Sequence, residues 1–393
     1  MAPTASESLK LSSQGDQLGP SGSRFLRAKA ATAPARLSGL RAWMAQQGLE
    51  AAYITRPVSI AYMTGFNADP HERLMALAVR PDGATLIVPA LEQESAARNS
   101  DHAAVVAWRD GDDPYELVRG ALENCARLGV EKEHLTVQAA EALRARAAVR
   151  ELIDVAPEVR RLRRTKNAAE MDKLARACAI TDEVTDEVMR ALRSGQSELA
   201  VAVGIGAAIG AKDAALSFET LVQSGPNSAV PHHNPSGRTL ETGDLVLLDF
   251  GAAVDGYRAD TTRMAVVGDP SARQREIHAL VLAAHDAAIG AVRAGVTTGE
   301  VDAAARGVIA AAGLGDRFFH RIGHGLGLES HEDPSLDPGS NIVLEPGMVF
   351  TIEPGVYISG WGGVRIEDDV VVEAAGCRVL TKADRSLWVV PPS

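Results

Sequence analysis

The apolar positions in the first part of the chain alternate between helical and strand spacing. Leu37, Leu40 and Met44 recur at intervals of three or four residues and predict the buried face of a helix. Short apolar runs then predict strands at AAYIT, VVAW and LTVQ, and a hairpin in LMALAVRPDGATLIVPA around Asp82-Gly83. A further helix is predicted through ELVRGALENCARL. This alternation is typical of an α/β domain, which we place at residues 25–157.

The pattern changes in residues 158–393, where long capped helices precede pairs of strands. Asn167 and Glu170 have the spacing of a capping box at the start of an apolar helical stripe. A second helix is predicted from Ser197, and two strand-like runs then flank Asp255-Gly256. The pattern therefore predicts two helices followed by a β-hairpin.

The same order of elements recurs further along the chain. A long helix is predicted after Ser271, and the capping-box pair Thr297 and Glu300 opens another helix that stops at Gly313. The strand-like runs MVFTIE and VRIEDDVVV follow. Two successive helix-helix-strand-strand units predict an α+β fold built by internal duplication, although the units share little direct sequence identity.

The hairpin at Asp255-Gly256 has turn chemistry that defines its register. A two-residue Asp-Gly turn favours type I′ geometry, which places Gly251 opposite Asp260 and Asp249 opposite Thr262. Because residues two apart on a strand share a face, Asp249 and Asp260 become diagonal neighbours. Two such carboxylates repel each other, so one takes up a proton or a cation lies between them. The hairpin therefore predicts a metal site that needs further ligands.

Glycines and histidines are concentrated in the run FFHRIGHGLGLESHE, before the second pair of strands. Glycine lets the backbone pass close to a site, and one of His320, His324 and His331 is a candidate metal ligand. The second unit also supplies Glu353 and Glu367. Four carboxylates with one neutral imidazole carry a negative charge that two divalent cations would balance.

Oxygen-rich ligation with one nitrogen suits manganese, cobalt or zinc. Two such ions can share a hydroxide and polarise a carbonyl group, so the predicted reaction is hydrolysis. Each acid taken alone has a simpler interpretation, because most acids lie at a surface or pair with a base. Asp260 could pair with Arg258 or Arg263, and Glu367 with Arg365. The metal interpretation rests on the acids occurring together.

Composition narrows the classes of function. The 393 residues are 46% hydrophobic and 23% charged, and the formal net charge of -11 disfavours nucleic acid as a partner. Cys125, Cys178 and Cys377 are too few and too far apart for a disulfide framework, so we expect a cytoplasmic protein. Residues 1–24 are rich in Ser, Gly and Gln and predict a flexible tail without a signal peptide. No run has the length of a transmembrane segment.

Six motifs follow one another along the second part of the chain: SGPNSAVPHH, LLDFG, YRADTTR, HRIGHGLGLESHE, TIEPGVY and GVRIEDD. In this order they resemble the creatinase/prolidase metallopeptidases, which share the pita-bread fold with methionine aminopeptidase and aminopeptidase P. The resemblance spans residues 160–385, and ITRPVSIAYMTGF resembles the accessory N-terminal domain of that family. It implies a pita-bread catalytic domain, with duplicated units around a curved antiparallel sheet, after a creatinase-like α/β domain.

The resemblance also implies a role for each matched ligand. Asp249 corresponds to a ligand of one metal ion, and His324 and Glu353 correspond to ligands of the other. Asp260 and Glu367 correspond to the carboxylates that bridge both ions. Glu353 also corresponds to the acid that handles the proton of a metal-bridging water or hydroxide.

Two histidines correspond to groups that contact the substrate. In the family, the counterparts of His232 and His331 contact the substrate carbonyl and stabilise the tetrahedral intermediate. His233 follows His232 directly, and strand alternation would send the two imidazoles in opposite directions, so the motif selects His232. The secondary groups around the substrate and the bridging acid correspond to His320, Tyr357 and Arg365.

The implied function is hydrolysis of the bond before proline in dipeptides or short peptides, as in prolidase or aminopeptidase P. The run HRIGHGLGLESHE and the accessory domain resemble these enzymes rather than methionine aminopeptidases. Some prolidases carry an arginine shortly after the second histidine of the motif. The run EDPSLDPGSN after His331 has no basic residue, so dipeptide-only specificity would need an arginine from elsewhere in the chain.

Two alternatives are open from the sequence. An amidohydrolase of the creatinase or ectoine-hydrolase type has the same fold but acts on a small nonpeptide amide. Noncatalytic binding modules also use this fold, but they lose the metal ligands that this chain retains. The resemblance further implies two divalent metal ions, with manganese favoured over cobalt or zinc. It also implies short proline-containing peptides as partners, and a homodimer.

Overall fold

The computed structural model of the protein describes residues 35–100, 102–123 and 125–392. The tail predicted for residues 1–24 lies outside the described residues. The helices are α1 (35–47), α2 (Pro57–Thr64), α3 (Gln93–Asn99), α4 (Pro114–Leu122), α5 (Val137–Arg146), α6 (Ala156–Arg164), α7 (Ala168–Ala191), α8 (Glu198–Gly210), α9 (Ala272–Ala291) and α10 (Thr298–Ala311). The strands are β1 (Ala51–Ile54), β2 (Ala76–Val79), β3 (Ala84–Pro89), β4 (Ala104–Trp108), β5 (Arg127–Val130), β6 (Glu151–Asp154), β7 (Ala215–Leu216), β8 (Leu221–Ser224), β9 (Leu245–Phe250), β10 (Ala252–Val254), β11 (Tyr257–Arg258), β12 (Thr261–Val267), β13 (His324–Gly325), β14 (Glu332–Ser335), β15 (Val349–Ile352), β16 (Gly355–Ile358), β17 (Gly362–Arg365), β18 (Asp368–Glu373), β19 (Gly376–Val379) and β20 (Trp388–Val390).

The first part of the structure has the predicted α/β character. Its six-stranded sheet has the order β4-β3-β2-β1-β5-β6. The three central strands β3, β2 and β1 pair antiparallel, and the outer strands add to them in parallel. The predicted hairpin at Asp82-Gly83 joins β2 to β3. Apolar side chains on both faces of this sheet form two buried clusters.

Two predicted elements of this part are wrong. The helix predicted through ELVRGALENCARL ends at Leu122, because Glu123 takes a left-handed conformation, and Arg127 begins β5 instead. LTVQ is not a strand, since Thr136 caps α5 by accepting a hydrogen bond from the N–H of Ala139 at 3.1 Å. In both places a local helix end outweighs the apolar pattern.

The second part contains the predicted helix pairs and strand sets. The capping boxes of α7 and α10 form between Asn167 and Glu170 and between Thr297 and Glu300. The larger sheets have the orders β20-β12-β9-β8 and β14-β13-β15-β18-β19. Their strands pair antiparallel, except that β12 and β20 pair in parallel. The predicted recurrence of helices and strands is therefore present in the fold.

The hairpin between β10 and β11 has the predicted register. Asp249 lies opposite Thr262, and Asp255 and Gly256 have φ angles of 50° and 83°, as a type I′ turn requires. Gly251 lies so close to the opposite strand that a Cβ atom there would be 1.8 Å from a carbonyl oxygen. The alignment of the first two acids therefore follows from the turn and from one close backbone approach.

The run VRIEDDVVV forms two strands, whereas the sequence pattern predicts one. β17 pairs with β16 and β18 pairs with β15, so the chain changes partners at Ile366-Glu367. The N–H of Glu367 donates to the carbonyl of Thr262 at 3.3 Å instead of continuing a ladder. This break brings Glu367 into contact with the first unit.

Helix α6 contacts both parts of the molecule. The carbonyl of Leu162 accepts a hydrogen bond from the hydroxyl of Tyr62 at 2.6 Å, whereas Arg164 reaches Asp333 at 3.2 Å. The predicted domain boundary between residues 157 and 158 falls within this helix and stays a prediction. Across the described ranges, no helix combines the length and the apolar character that crossing a membrane requires.

Candidate metal centre

The five predicted metal ligands lie at the ends or interruptions of strands in the second part. Asp249 is near the end of β9, and Asp260 lies in the short gap between β11 and β12. Glu353 directly follows β15, and Glu367 lies in the gap between β17 and β18. His324 begins β13, which pairs with β15. A strand that ends or changes partners frees the side chain from the regular sheet face.

These side chains converge on one buried volume. Asp260, His324 and Glu367 place ligand atoms within 4.8 Å of one another, and all three residues are buried. The Nε2 atom of His324 is 3.9 Å from Oδ2 of Asp260 and 3.4 Å from Oε1 of Glu353. Asp249 is close enough to Asp260 for their carboxyl groups to interact directly, as the hairpin register predicts. The structure therefore brings all five together.

Burial raises the pKa of all four acids, because a buried carboxylate loses the solvation of its charge. For Asp260 and Glu367 the rise is large, since neighbouring carboxylates add to the effect of burial. Burial raises the pKa of Glu353 to about 7. It also raises the pKa of Asp249, against the opposing charge of Arg365. The cluster therefore favours a cation that would stabilise the ionised carboxylates.

The donor set fits divalent metal ions. Among the described residues, the buried Oδ1 atom of Asp249 has no hydrogen-bond partner, which fits an oxygen atom that serves as a metal ligand. Burial lowers the pKa of His324 well below its ordinary value, so the imidazole is neutral and can bind a metal. Arg365 compensates the charge of one carboxylate, which leaves more negative charge than one divalent ion would neutralise. Oxygen donors with a single nitrogen suit manganese, cobalt or zinc.

A chain of hydrogen bonds connects and orients two of the acids, Asp249 and Glu367. Arg365 donates to Oδ2 of Asp249 at 2.5 Å, to the hydroxyl of Thr262 at 2.9 Å and to the hydroxyl of Tyr357 at 3.1 Å. Thr262 in turn donates to Oε2 of Glu367 at 2.6 Å. Because Arg365 is fully charged and buried, it orients Asp249 and joins it, through Thr262, to the bridging candidate Glu367.

The predicted secondary group His320 continues this chain. Its Nδ1 atom lies 2.7 Å from the carbonyl of Arg321, and its Nε2 atom lies 3.0 Å from the hydroxyl of Tyr357. Burial lowers the pKa of His320 to about 4, so the ring is neutral. Its Nδ1–H then donates to the carbonyl, and Nε2 accepts the proton of the Tyr357 hydroxyl. Tyr357 is thereby fixed between His320 and Arg365.

The two predicted catalytic histidines are exposed beside the buried cluster. The ring of His331 lies with its centre 4.0 Å from that of His324. His232 is close enough for its charge to act on the pKa of Asp249 and of His331. The Nε2 atom of His233 instead lies 3.7 Å from Glu198, away from the cluster. The two adjacent imidazoles therefore have different surroundings, although they lie in a turn and a loop and not in the strand from which their divergence was predicted.

Sequence reasoning did not single out Arg321. With His331 and Ser335 it lines a cavity of about 420 Å³ next to the cluster, and its guanidinium donates to the hydroxyl of Ser335 at 2.9 Å. Its charge helps to lower the pKa of His331. The available signal was its place between two histidines in HRIGH.

Comparisons with known proteins agree with this architecture. Residues 172–374 match metallopeptidase family M24, and residues 36–165 match the creatinase/prolidase N-terminal domain. An Xaa-Pro dipeptidase from Lactobacillus helveticus is 39% identical over 363 residues, which cover 90% of this chain and 99% of that relative. The structure is similar to that of an Xaa-Pro dipeptidase from Bacillus anthracis, with a TM-score of 0.86, 34% identity, and coverage of 91% of this chain and 100% of the other.

An X-Pro aminopeptidase from Thermotoga maritima is also similar in structure, with a TM-score of 0.83, 30% identity, and coverage of 90% of this chain and 99% of the other. These relatives confirm the pita-bread fold and the N-terminal domain that the motifs imply. They do not favour a nonpeptide amidohydrolase or a noncatalytic module. The chain belongs to metallopeptidase family M24, with a creatinase/prolidase N-terminal domain, and is a metal-dependent hydrolase.

Proposed function

We propose that the protein is a dinuclear metal-dependent Xaa-Pro peptidase that cleaves the bond before proline in dipeptides and short peptides. The observation that carries this proposal is the convergence of three buried carboxylates and the partly buried Glu353 around one neutral imidazole, with two further histidines exposed beside them. The names of the relatives from Lactobacillus helveticus and Bacillus anthracis support specificity for the bond before proline.

The proposed ligand set divides between two ions. Asp249 would hold one ion, and His324 with Glu353 would hold the other. Asp260 and Glu367 would contact both, which is consistent with their neighbouring strand gaps and with the large rise in their pKa. When bound, the two ions would lower the pKa of a water molecule between them and polarise the scissile carbonyl.

The remaining chemistry belongs to side chains of this chain. Glu353 receives the proton of the attacking water on a carboxylate oxygen and delivers it to the proline nitrogen as that nitrogen leaves. The imidazole N–H groups of His232 and His331 donate to the carbonyl oxygen as its negative charge develops. Because a peptide bond to proline has no N–H, the site needs no acceptor for one. Histidines that act on the carbonyl oxygen suit such a substrate.

Arg321 is the proposed receptor for the free carboxylate of a dipeptide. It lines the cavity beside His331, and a guanidinium can bind a carboxylate through two parallel hydrogen bonds. This residue supplies the arginine that the run after His331 lacks. We therefore propose a preference for dipeptides over longer peptides.

The experiment that tests the function is product analysis with Ala-Pro, Ala-Pro-Ala and Ala-Ala. The purified protein is first chelated and then loaded with manganese, cobalt or zinc in turn. We expect hydrolysis of Ala-Pro to alanine and proline only after metal addition, with manganese as the most activating ion. Equal activity before and after chelation, or no cleavage of any Xaa-Pro substrate with any metal, would contradict the proposal.

Arg321→Met tests the dipeptide preference. Loss of a charge-assisted hydrogen bond is expected to raise KM for Ala-Pro by about 10-fold, with a smaller change for Ala-Pro-Ala. Arg317→Met is the matched control, because Arg317 is exposed on a neighbouring turn outside this cavity. An equal change in KM for both substrates would show that Arg321 does not recognise the carboxylate.

Three finer expectations belong to the same proposal: manganese as the resident metal, a homodimer, and a cytoplasmic location. The described cysteines Cys125, Cys178 and Cys377 are all free thiols, which is consistent with a reducing compartment. The domain limits at residues 1–24, 25–157 and 158–393 are likewise proposed. Light scattering at several protein concentrations tests the dimer, and limited proteolysis tests the domain limits.

A further inference from the structure

The buried side chain of Gln223 contacts the backbone on both sides of His232. Gln223 lies on β8 and is fully buried. Its Nε2 group donates to the carbonyl of Pro231 at 3.0 Å and to the carbonyl of His233 at 3.1 Å. These two bonds hold the carbonyl groups of the residues on either side of His232. Because His232 itself is exposed, packing does not hold its ring, and the backbone must set its direction.

A second buried group, the carboxylate of Glu198, connects the two ends of the loop of residues 224–236 that carries His232. Glu198, at the start of α8, is fully buried and accepts hydrogen bonds from Ser224 and Asn227 on one carboxylate oxygen. Its other oxygen accepts two hydrogen bonds from Ser236, at 3.1 Å and 2.6 Å. One carboxylate therefore joins residues 224 and 236, while Gln223 holds the segment between them.

The amide of Gln223 is poorly explained by stability alone. Its Oε1 atom is buried and, within the described residues, has no hydrogen-bond partner. An unpaired buried acceptor costs free energy, which offsets part of the stability that the two bonds from Nε2 contribute. The two bonds from Nε2 to the flanking carbonyls are the distinctive contribution of the amide.

We propose that Gln223 is a positioning residue for His232, and that Glu198 anchors the loop on which it acts. This inference rests on the proposed function, in which His232 donates to the carbonyl oxygen of the substrate. Gln223 orients the imidazole through the backbone and does not contact the substrate. Loss of the amide leaves the metal ligands in place but lets His232 leave the direction that the reaction needs.

Gln223→Met is the first test, because methionine has a similar length and lacks the amide. We expect kcat for Ala-Pro to fall by about 10-fold through misplacement of His232, with little change in KM. The midpoint of thermal unfolding should fall only slightly, since the loss of a donor to the carbonyls of Pro231 and His233 is offset in part by the removal of the unpaired acceptor. Hydrogen exchange of residues 224–236 should become faster. A lower unfolding midpoint with unchanged kcat and exchange would mean that Gln223 is only structural.

Gln196→Met is the matched control. Its side chain accepts a hydrogen bond from the N–H of Arg193 at 2.8 Å, so the same substitution removes one side-chain hydrogen bond outside residues 224–236. We expect kcat and exchange in that loop to stay unchanged. If Gln223→Met does not fold, Glu198→Gln provides the second test, since a carboxamide in place of the carboxylate cannot accept from both ends of the loop.

A double-mutant cycle with His232→Ala separates this inference from the proposed function. If Gln223 acts through His232, Gln223→Met lowers kcat in the natural chain but not in the His232→Ala background. If His232→Ala lowers kcat and Gln223→Met lowers it again by the same factor, the positioning role is overturned while the function stands. If His232→Ala alone leaves kcat unchanged, the proposed role of His232 fails, and the inference fails with it.

Discussion

The two helix-helix-strand-strand units each supply two acids, but they bring them together in different ways. In the first unit, the turn at Asp255-Gly256 sets the register, and Asp249 and Asp260 become diagonal neighbours. In the second unit, the β16–β17 hairpin separates β15 from β18 along the chain. Continuing the pairing of β15 with β18 by one residue beyond Ile352 and Asp368 would place Glu353 directly opposite Glu367. A local turn thus organises one pair, and a longer-range pairing organises the other.

Each unit also supports an acid of the other. Thr262 of the first unit donates to Glu367 of the second, and Arg365 of the second unit donates to Asp249 of the first. Neither unit alone would therefore contain its acids in their observed surroundings. The comparison teaches that duplication supplies the ligands, whereas contacts between the units orient them.

Exchange of Asp260 for asparagine is the largest expected perturbation of this comparison. If Asp260 contacts both ions and Asp249 only one, Asp260→Asn should reduce metal content more than Asp249→Asn does. Loss of both ions should lower kcat/KM for Ala-Pro by about 1,000-fold, because metal catalysis supplies several kcal/mol of transition-state stabilisation. Elemental analysis of the purified variants measures the bound ions.

Asp255→Asn is the control for this experiment. It lies at the tip of the same hairpin, and asparagine tolerates the positive φ angle of that position. It should retain full metal content and activity. Equal metal loss in Asp249→Asn and Asp260→Asn would show that the two acids have equivalent roles.

Arg365→Met tests whether the second unit orients an acid of the first. Removal of the guanidinium frees Asp249 and interrupts the contacts with Thr262 and Tyr357. We expect metal affinity or activity to fall between about 10- and 100-fold, as for other groups that orient a metal ligand. Titration of the metal-free protein with manganese measures the affinity. Arg378→Met is the control, since Arg378 pairs with Glu373 at the surface, and an equal loss in this control would argue against the orienting role.

The smallest loss of activity is expected from replacing either of two threonines that each donate a hydrogen bond to one of the acids. Thr262→Val removes a 2.6 Å bond to an acid of the other unit and an acceptor for Arg365, whereas Thr351→Val removes a 3.3 Å bond to Glu353 of its own unit and an acceptor for the N–H of His324. We expect kcat/KM to fall about 10-fold for Thr262→Val, because hydrogen bonds to charged groups are the stronger ones. For Thr351→Val we expect less than about threefold, because its bond is longer. A larger loss in Thr351→Val would reverse the proposed importance of contacts between the units.

Local signals explain where sequence reasoning succeeded. The capping boxes at Asn167 and Thr297 form as predicted, since both partners lie within four residues of each other. The hairpin register also follows from its own turn. The prediction of a strand at LTVQ was wrong, because Thr136 caps a helix and the apolar pattern there is only four residues long.

The site also combines features that local motifs predict with contacts that they do not. The motifs selected all five residues that converge, although their roles as ligands stay proposed. They did not single out Thr262 as a support for Glu367, because that contact joins residues 105 positions apart in the chain. They did not single out Arg321 either, although it lies within the histidine-rich motif, because its place in the cavity wall depends on the fold. The positioning contacts of Gln223 and Glu198 have no signature in their own segments either.

The sequence by itself determined the order of elements, the turn that aligns Asp249 with Asp260, and the inventory of acids and histidines. Only the tertiary structure decided that the chain breaks at Glu367, that Arg365 crosses to Asp249, and that His232 and His233 diverge. The physical reason is the range of the interactions. Caps and two-residue turns satisfy backbone groups within a few residues, whereas a buried cluster of like charges is stable only when partners from distant segments meet it.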